Sequence, residues 1–208
     1  MLSPRTRSGS EASRSRKPRM RDDEDLTDLI RAAAGGDRRA FEDLVLRKRD
    51  QVVRTAFQIT GNLEDAKDVA QGVFLRLWRV LQRFDLERRF DTWLYRITVN
   101  AAIDFLRDRG PKGFLQPLPE DAGERLAATA PGADEILDRD RLQKTFLRLA
   151  AGLAPKQRAV FVLKEIEGLD TDEVARVLEI SESTVRNHLH QARRILREAL
   201  RREHPEWS

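Results

Sequence analysis

The chain has 208 residues, no cysteine, 36% charged and 6% aromatic residues and a formal net charge of +4, with a sequence pI of about 9.7. That length suits one or two small domains, and the missing cysteine excludes disulfides, thiol redox sensing and a Cys-built zinc site. No apolar run approaches a membrane span and the basic N-terminus lacks the apolar core of a secretory signal, so a cytoplasmic protein without membrane insertion is expected, its basic excess suiting a polyanionic partner.

In chain order, residues 1–24 combine Ser, Arg, Pro and Gly, with Arg5, Arg7, Arg14, Arg16, Lys17, Arg19 and Arg21 set against the single acid Glu11. They read as a disordered basic arm. It either contacts nucleic acid or precedes an alternative translation start at Met20. From Asp25 to Asp108 the apolar spacing is helical. Leu26, Leu29 and Ile30 mark a first helix, closed at Gly35-Gly36. Phe41, Leu44, Val45, Val52, Ala56 and Ile59 mark a second, closed at Gly61. Asn62 is placed to cap a third, with Glu64 and Asp65 in its first turn. That helix carries Val69, Val73, Phe74, Leu77 and Trp78. A charged loop, Phe84–Arg89, leads to a fourth helix from about Phe90 to Arg107. Trp93 and Leu94 alternate with polar neighbours as core residues would.

Residues 110–135 hold Gly110-Pro111, Pro117, Pro119, Gly123 and Pro131-Gly132 and read as a flexible linker. Helical spacing resumes near Ile136 and continues through Leu142, Phe146 and Leu149. Pro155 suits the first position of the next helix, which contains Phe161, Val162 and Ile166 and is closed by Gly168. The expected fold is all-α: two small helical domains, 25–109 and 136–204, joined by that linker.

Residues 170–197, DTDEVARVLEISESTVRNHLHQARRILR, read as a helix-turn-helix, the unit that lays its second helix in the DNA major groove. Asp170 with Glu173 forms a capping-box pattern and Ser181 is a good N-cap. Val185, Leu189, Ala192, Leu196 and Ala199 define a buried face. Arg186, His190, Arg193 and Arg197 occupy another, beside Asn187, Gln191 and Arg194. Arg can bond two guanine acceptors at once, Asn and Gln can do so with adenine, and further Arg side chains neutralise phosphates. His188 and His190 diverge on a helix, so no metal pair forms there.

Three stretches together resemble a bacterial sigma factor of the extracytoplasmic-function group of the sigma-70 family: DAKDVAQGVFLRLWRVLQRFD (65–85), FDTWLYRITVNAAIDFLRDRG (90–110) and the terminal helix-turn-helix. The likeness covers Asp25–Arg109 and Ile136–Arg202. It implies a transcription initiation factor, with core RNA polymerase, promoter DNA (duplex and single-stranded) and an anti-sigma factor as partners, and no cofactor or metal. On this resemblance Asp65, Asp68, Gln71, Leu75 and Trp78 dock the polymerase. Phe84, Arg88, Arg89, Arg96, Asn100 and Arg107 serve the downstream (−10) element, whose non-template strand is captured unpaired. Thr184, Arg186, Asn187, His190, Gln191, Arg193 and Arg194 read the upstream (−35) element as duplex. Three positions depart from the family's pattern: Gly72 replaces a usual Glu, Glu179 an often-found Gly, and Gln191 a frequent Arg. The linker resembles the segment that family members thread toward the RNA exit path.

Two other functions compete. STVRNHL also suits a stand-alone helix-turn-helix regulator, which the blocks at 65–110 argue against. For an enzyme, the sequence offers no glycine-rich phosphate loop, metal-ligand cluster or nucleophile–base pairing.

Overall fold

The computed structural model describes residues 17–109 and 145–203, and every regular element among them is helical. Helix α1 (Lys17–Ala34) buries Ile30 and Ala33. It starts inside the stretch expected to be a disordered arm, so residues 17–24 are helical, while 1–16 lie outside the described residues. The physical reason is cooperativity: once Ile30 and Ala33 anchor a turn, each added residue costs little. The expected linker also lies outside the described residues.

Helix α2 (Arg38–Thr60) is capped by Asp37, whose carboxylate accepts from the backbone N–H of Arg39 at 2.8 Å and Ala40 at 3.1 Å. It ends at Gly61, which turns left-handed with φ 78° and donates its N–H to the Phe57 carbonyl at 2.8 Å. Helix α3 (Leu63–Val80) follows at once. The Asn62 side chain accepts from Glu64 N at 2.9 Å and Asp65 N at 3.1 Å, as its sequence position implied. A short 3-10 turn, Leu81–Arg83, and the loop through Arg89 lead into α4 (Phe90–Arg109).

These four helices close around Leu44, Val52, Phe57 and Ile59 of α2, Val73 and Leu77 of α3, and Leu94, Val99 and Leu106 of α4. Each such side chain contributes about 1.5–3 kcal/mol on burial, so packing rather than helix propensity holds the unit together. Lys48 threads its stem through this packing and places Nζ 2.6 Å from Asp91, tying α2 to the first turn of α4.

In the second unit, residues 145–149 are helical and α5 (Pro155–Phe161) starts with Pro155 at its first position. It then widens into a π-helical turn, Val162–Ile166, where the Glu167 N–H reaches back to the Val162 carbonyl at 2.9 Å. Such turns are frequent at functional sites. Helix α6 (Thr171–Leu178) and α7 (Glu182–Glu203) form the helix-turn-helix. Glu173 accepts from Asp170 N at 3.0 Å, and Ser181 Oγ accepts from Thr184 N at 3.2 Å. Val160, Leu163, Val174, Val177 and Val185 are buried between these helices. Ala150, Leu153 and Ala192 form a smaller cluster, flanked by Phe146 stacked on Phe161 at 5.4 Å between ring centroids.

The two units are in contact. Helix α4 packs on α5 and α6, α2 meets α5 and the π turn, and one apolar cluster runs through both units.

Candidate nucleic-acid and polymerase interfaces

Helix α7 turns Val185 and Ala192 inward, with Leu189 and Leu196 partly buried beside them. Arg186, Asn187, His190, Gln191, Arg193 and Arg194 are exposed and Thr184 is half-buried. The face is held by bonds within its own unit. Arg186 pairs with Glu182 at 3.1 Å and Arg194 with Glu198 at 3.3 Å, both one helical turn apart. Arg193 reaches Glu165 at 2.7 Å, and Gln191 accepts from Gln157 Nε2 at 2.7 Å. Exposed pairs of this kind contribute little, about 0.2–1 kcal/mol, so they exchange readily. His190 is exposed and His188 half-buried, and among the described residues no three His, Asp or Glu side chains gather as metal ligands.

The turn between α6 and α7 contains the one unusual backbone position among the described residues. Glu179 takes φ 54° and ψ 45°, left-handed for a residue with a Cβ. The backbone makes this left-handed turn without glycine, at a cost of about 1–2 kcal/mol.

The loop before α4 rests on an aromatic base. Phe84 stands 4.7 Å from Trp93 and 5.4 Å from Phe90 between ring centroids, the latter pair edge-on. Phe90 is buried, while Phe84 and Trp93 are half-buried against the core. Asn100 is half-buried on α4, one turn beyond Arg96. Arg88 pairs with Asp85 at 3.3 Å and Arg107 with Asp104 at 3.0 Å, both local. Arg89 and Arg96 instead reach across to the other unit. Arg89 bonds Glu173 at 2.6 Å, and Arg96 bonds Glu179.

On α3, Asp68, Gln71, Leu75 and Trp78 recur at steps of three and four and form one exposed stripe. Leu75 is 58% exposed and Trp78 41%. Trp78 lies edge-on to Phe41 of α2 at 4.7 Å. Gly72 sits on the same stripe facing open space. Asp65 is turned away from these four. It is buried and bonded by Arg109 at 2.6 Å, and Arg109 also lies over the Phe105 ring. Burial raises the Asp65 carboxyl above its ordinary range, against the opposing pull of Arg109.

Sequence reasoning missed a further set of residues that join the two units. Arg158, 6% exposed, enters the C-terminal end of α2 and donates Nε to the Gln58 carbonyl at 2.7 Å. The negative end of the helix dipole favours a cation there. Burial alone lowers its pKa to about 10, which leaves it charged at neutral pH. Its Nη2 and the Gln58 Oε1 are buried without hydrogen-bond partners among the described residues. Glu167 accepts from Tyr95 Oη at 2.6 Å and Thr55 Oγ1 at 3.4 Å, and lies 3.7 Å from Arg54. Burial, and then the Glu167 carboxylate, push the Tyr95 phenol well above its usual range. No periodic pattern marks these residues in the sequence; only Gly168, which ends the helix carrying Glu167, stood out.

Comparison with known proteins places this geometry. Residues 36–111 match the Sigma-70 region 2 family and residues 143–196 match Sigma-70, region 4. The ECF RNA polymerase sigma factor SigW of Bacillus subtilis is 33% identical over 177 residues, covering 83% of this chain and 95% of that protein. The solved structure of CnrH in complex with the cytosolic domain of CnrY covers 84% of this chain and 96% of that one, with 28% identity and a TM-score of 0.59. The sigma factor RpoE of Bartonella quintana, solved with the anti-sigma factor NepR, shares the fold at 20% identity and the same TM-score, covering 77% of this chain and 96% of that one.

Proposed function

The chain belongs to the extracytoplasmic-function group of the sigma-70 family, and on that premise we propose how its surfaces divide the work of promoter recognition. It is a transcription initiation factor that directs RNA polymerase to promoters. Residues 136–204 read the upstream element as duplex, with Arg186, Asn187, His190, Gln191 and Arg193 near base edges and Thr184 and Arg194 near the backbone. Residues 25–109 capture the downstream element as a single strand. There Asn100 reads a base edge, Phe84 supports a flipped base, and Arg88, Arg89, Arg96 and Arg107 hold phosphates. Asp68, Gln71, Leu75 and Trp78 dock a helix of the polymerase, with Asp65 supporting the start of that stripe through Arg109. Catalysis resides in the polymerase. An anti-sigma factor that covers the polymerase-facing surface completes the set of partners.

The observation that carries this reading is the division of α7. Val185 and Ala192 are sealed against the second unit while six side chains able to reach bases and phosphates stand together in solvent. A stand-alone regulator leaves the region 2 match over residues 36–111 without a role. Transcription in vitro with core polymerase and a library of promoters is the test. Defined start sites are expected, and their absence overturns the reading. Arg186→Ala should weaken use of the upstream element by about 1–3 kcal/mol and leave polymerase affinity unchanged. Equal loss of both would show that the roles are wrongly divided.

A further inference from the structure

The positive excess of the chain lies outside the surfaces that read DNA or dock the polymerase. Residues 1–21 hold seven basic residues and one acid, a formal +6 in a chain of +4, which leaves −2 for all that follows. The sign changes at once, at Asp22, Asp23, Glu24 and Asp25. The cations of the two DNA surfaces are largely neutralised in place. Arg88, Arg89, Arg96 and Arg107 pair with Asp85, Glu173, Glu179 and Asp104, and Arg186, Arg193 and Arg194 pair with Glu182, Glu165 and Glu198. Resting on the DNA-binding reading, we propose that Arg5, Arg7, Arg14, Arg16, Lys17, Arg19 and Arg21 form a further, sequence-independent DNA contact: they neutralise the phosphate backbone of the duplex that borders the opened downstream element.

Composition selects that partner. Residues 1–24 contain no Phe, Tyr or Trp, so they cannot stack on unpaired bases as single-strand binders do. Their only large aliphatic side chains are Met1, Leu2 and Met20, too few to seat a segment in a lipid surface, where buried apolar area sets the affinity. What remains is a cation on a polyanion. Each neutralised phosphate releases counterions and adds affinity without reading sequence. A remainder of net −2 does not attract DNA from a distance, so the basic segment also steers the encounter. Position agrees with composition. At residues 35–37 the Gly36 and Asp37 N–H groups donate back to the Ala33 and Ala32 carbonyls, both at 3.1 Å, and α1 folds back along α2. At equal rise per residue, residues 17–24 run roughly beside residues 48–55 of α2. There Lys48 bonds Asp91 in the first turn of α4, and α1 also packs on Leu81–Arg83. Helix α1 therefore begins on the side of the first unit that carries the loop 84–89, which is assigned above to the downstream element.

The four arginines that precede α1 give the cleanest variant: Arg5→Gln, Arg7→Gln, Arg14→Gln and Arg16→Gln together in the full chain. The first readout is fluorescence anisotropy of a labelled random-sequence duplex, titrated with the free chain between about 50 and 200 mM salt. The unsubstituted chain should bind with a steep salt dependence. In the quadruple variant the slope of log affinity against log salt should be shallower by at least about 2, since each lost phosphate contact removes about 0.9. A smaller change would overturn the proposal. The second readout uses the variant bound to core polymerase. Affinity for the polymerase should be unchanged, and a promoter library should be used in the same order of preference but with weaker binding. A fall in polymerase affinity would place the segment on the polymerase, and a changed order of promoters would make it a base reader; either result overturns the proposal. So would binding to phosphatidylserine vesicles that the four substitutions abolish while the duplex slope stays as it was. Intact mass of the protein from its native cells should include residues before Met20, and a chain starting at Met20 would leave the proposal without its cations. Failure to start transcripts would count against the promoter reading, while the salt slope on random duplex would still decide the role of the arginines.

Discussion

Two glycines show how local space decides the sign of a substitution. At Gly61 the backbone is left-handed, and a Cβ would meet Arg158 Nη2 at 3.2 Å. Gly61→Ala therefore combines strain with displacement of the buried guanidinium. It should cost about 1–2 kcal/mol from the backbone alone, read as a lower urea midpoint. Gly72 is an ordinary helical residue with open space around its missing side chain. Gly72→Ala should raise the midpoint, gaining about 0.5–1 kcal/mol because alanine loses less backbone entropy. The sequence marked Gly61 as a helix end and Gly72 as a departure from the family's pattern; only their neighbours show which substitution costs and which gains.

Helix α3 joins a capping device to a contact surface. Its start is fixed by Asn62, which satisfies two N–H groups that the helix cannot bond internally. Asn62→Ala should destabilise the first unit by about 1 kcal/mol, measured by chemical denaturation. The exposed stripe farther along behaves oppositely. Leu75→Ala removes a side chain that lies outside the core, so melting should change little while affinity for core polymerase falls. The cap was legible in the sequence because it is local, whereas the stripe's residues were named on the family resemblance. Asp65 was not separable from the stripe by spacing. Its turn toward Arg109 depends on where α4 ends, which α3 does not encode.

Across the whole molecule, the bond from Tyr95 to Glu167 couples the two units, and Tyr95 is the chain's single tyrosine. Its phenol, raised by burial and then by Glu167, keeps its proton in the folded state beyond the ordinary value of 10.0. The linkage sign follows: the contribution is complete below pH 10.0 and declines above it, because the unfolded chain releases the proton first. Tyr95→Phe should leave a buried acceptor short of a donor, lower stability by about 1–3 kcal/mol at neutral pH, and remove that part of the alkaline loss. Calorimetry at pH 7 and above pH 10 checks both effects. The same variant should separate unfolding into two transitions, since domains lose cooperativity when their contact weakens.

The sequence by itself determined the helical class, most element ends, the buried face of each helix and the exposed polar face of α7. Each is set by side chains within a few positions of one another, through caps, left-handed turns and apolar period. The tertiary structure alone decided that α4 and α6 lie together, that Arg158 enters the end of α2, and that Glu167, Glu173 and Glu179 meet the first unit. Contacts between charged or polar groups more than seventy positions apart leave no periodic trace. They arise only once two separately formed cores are brought into register.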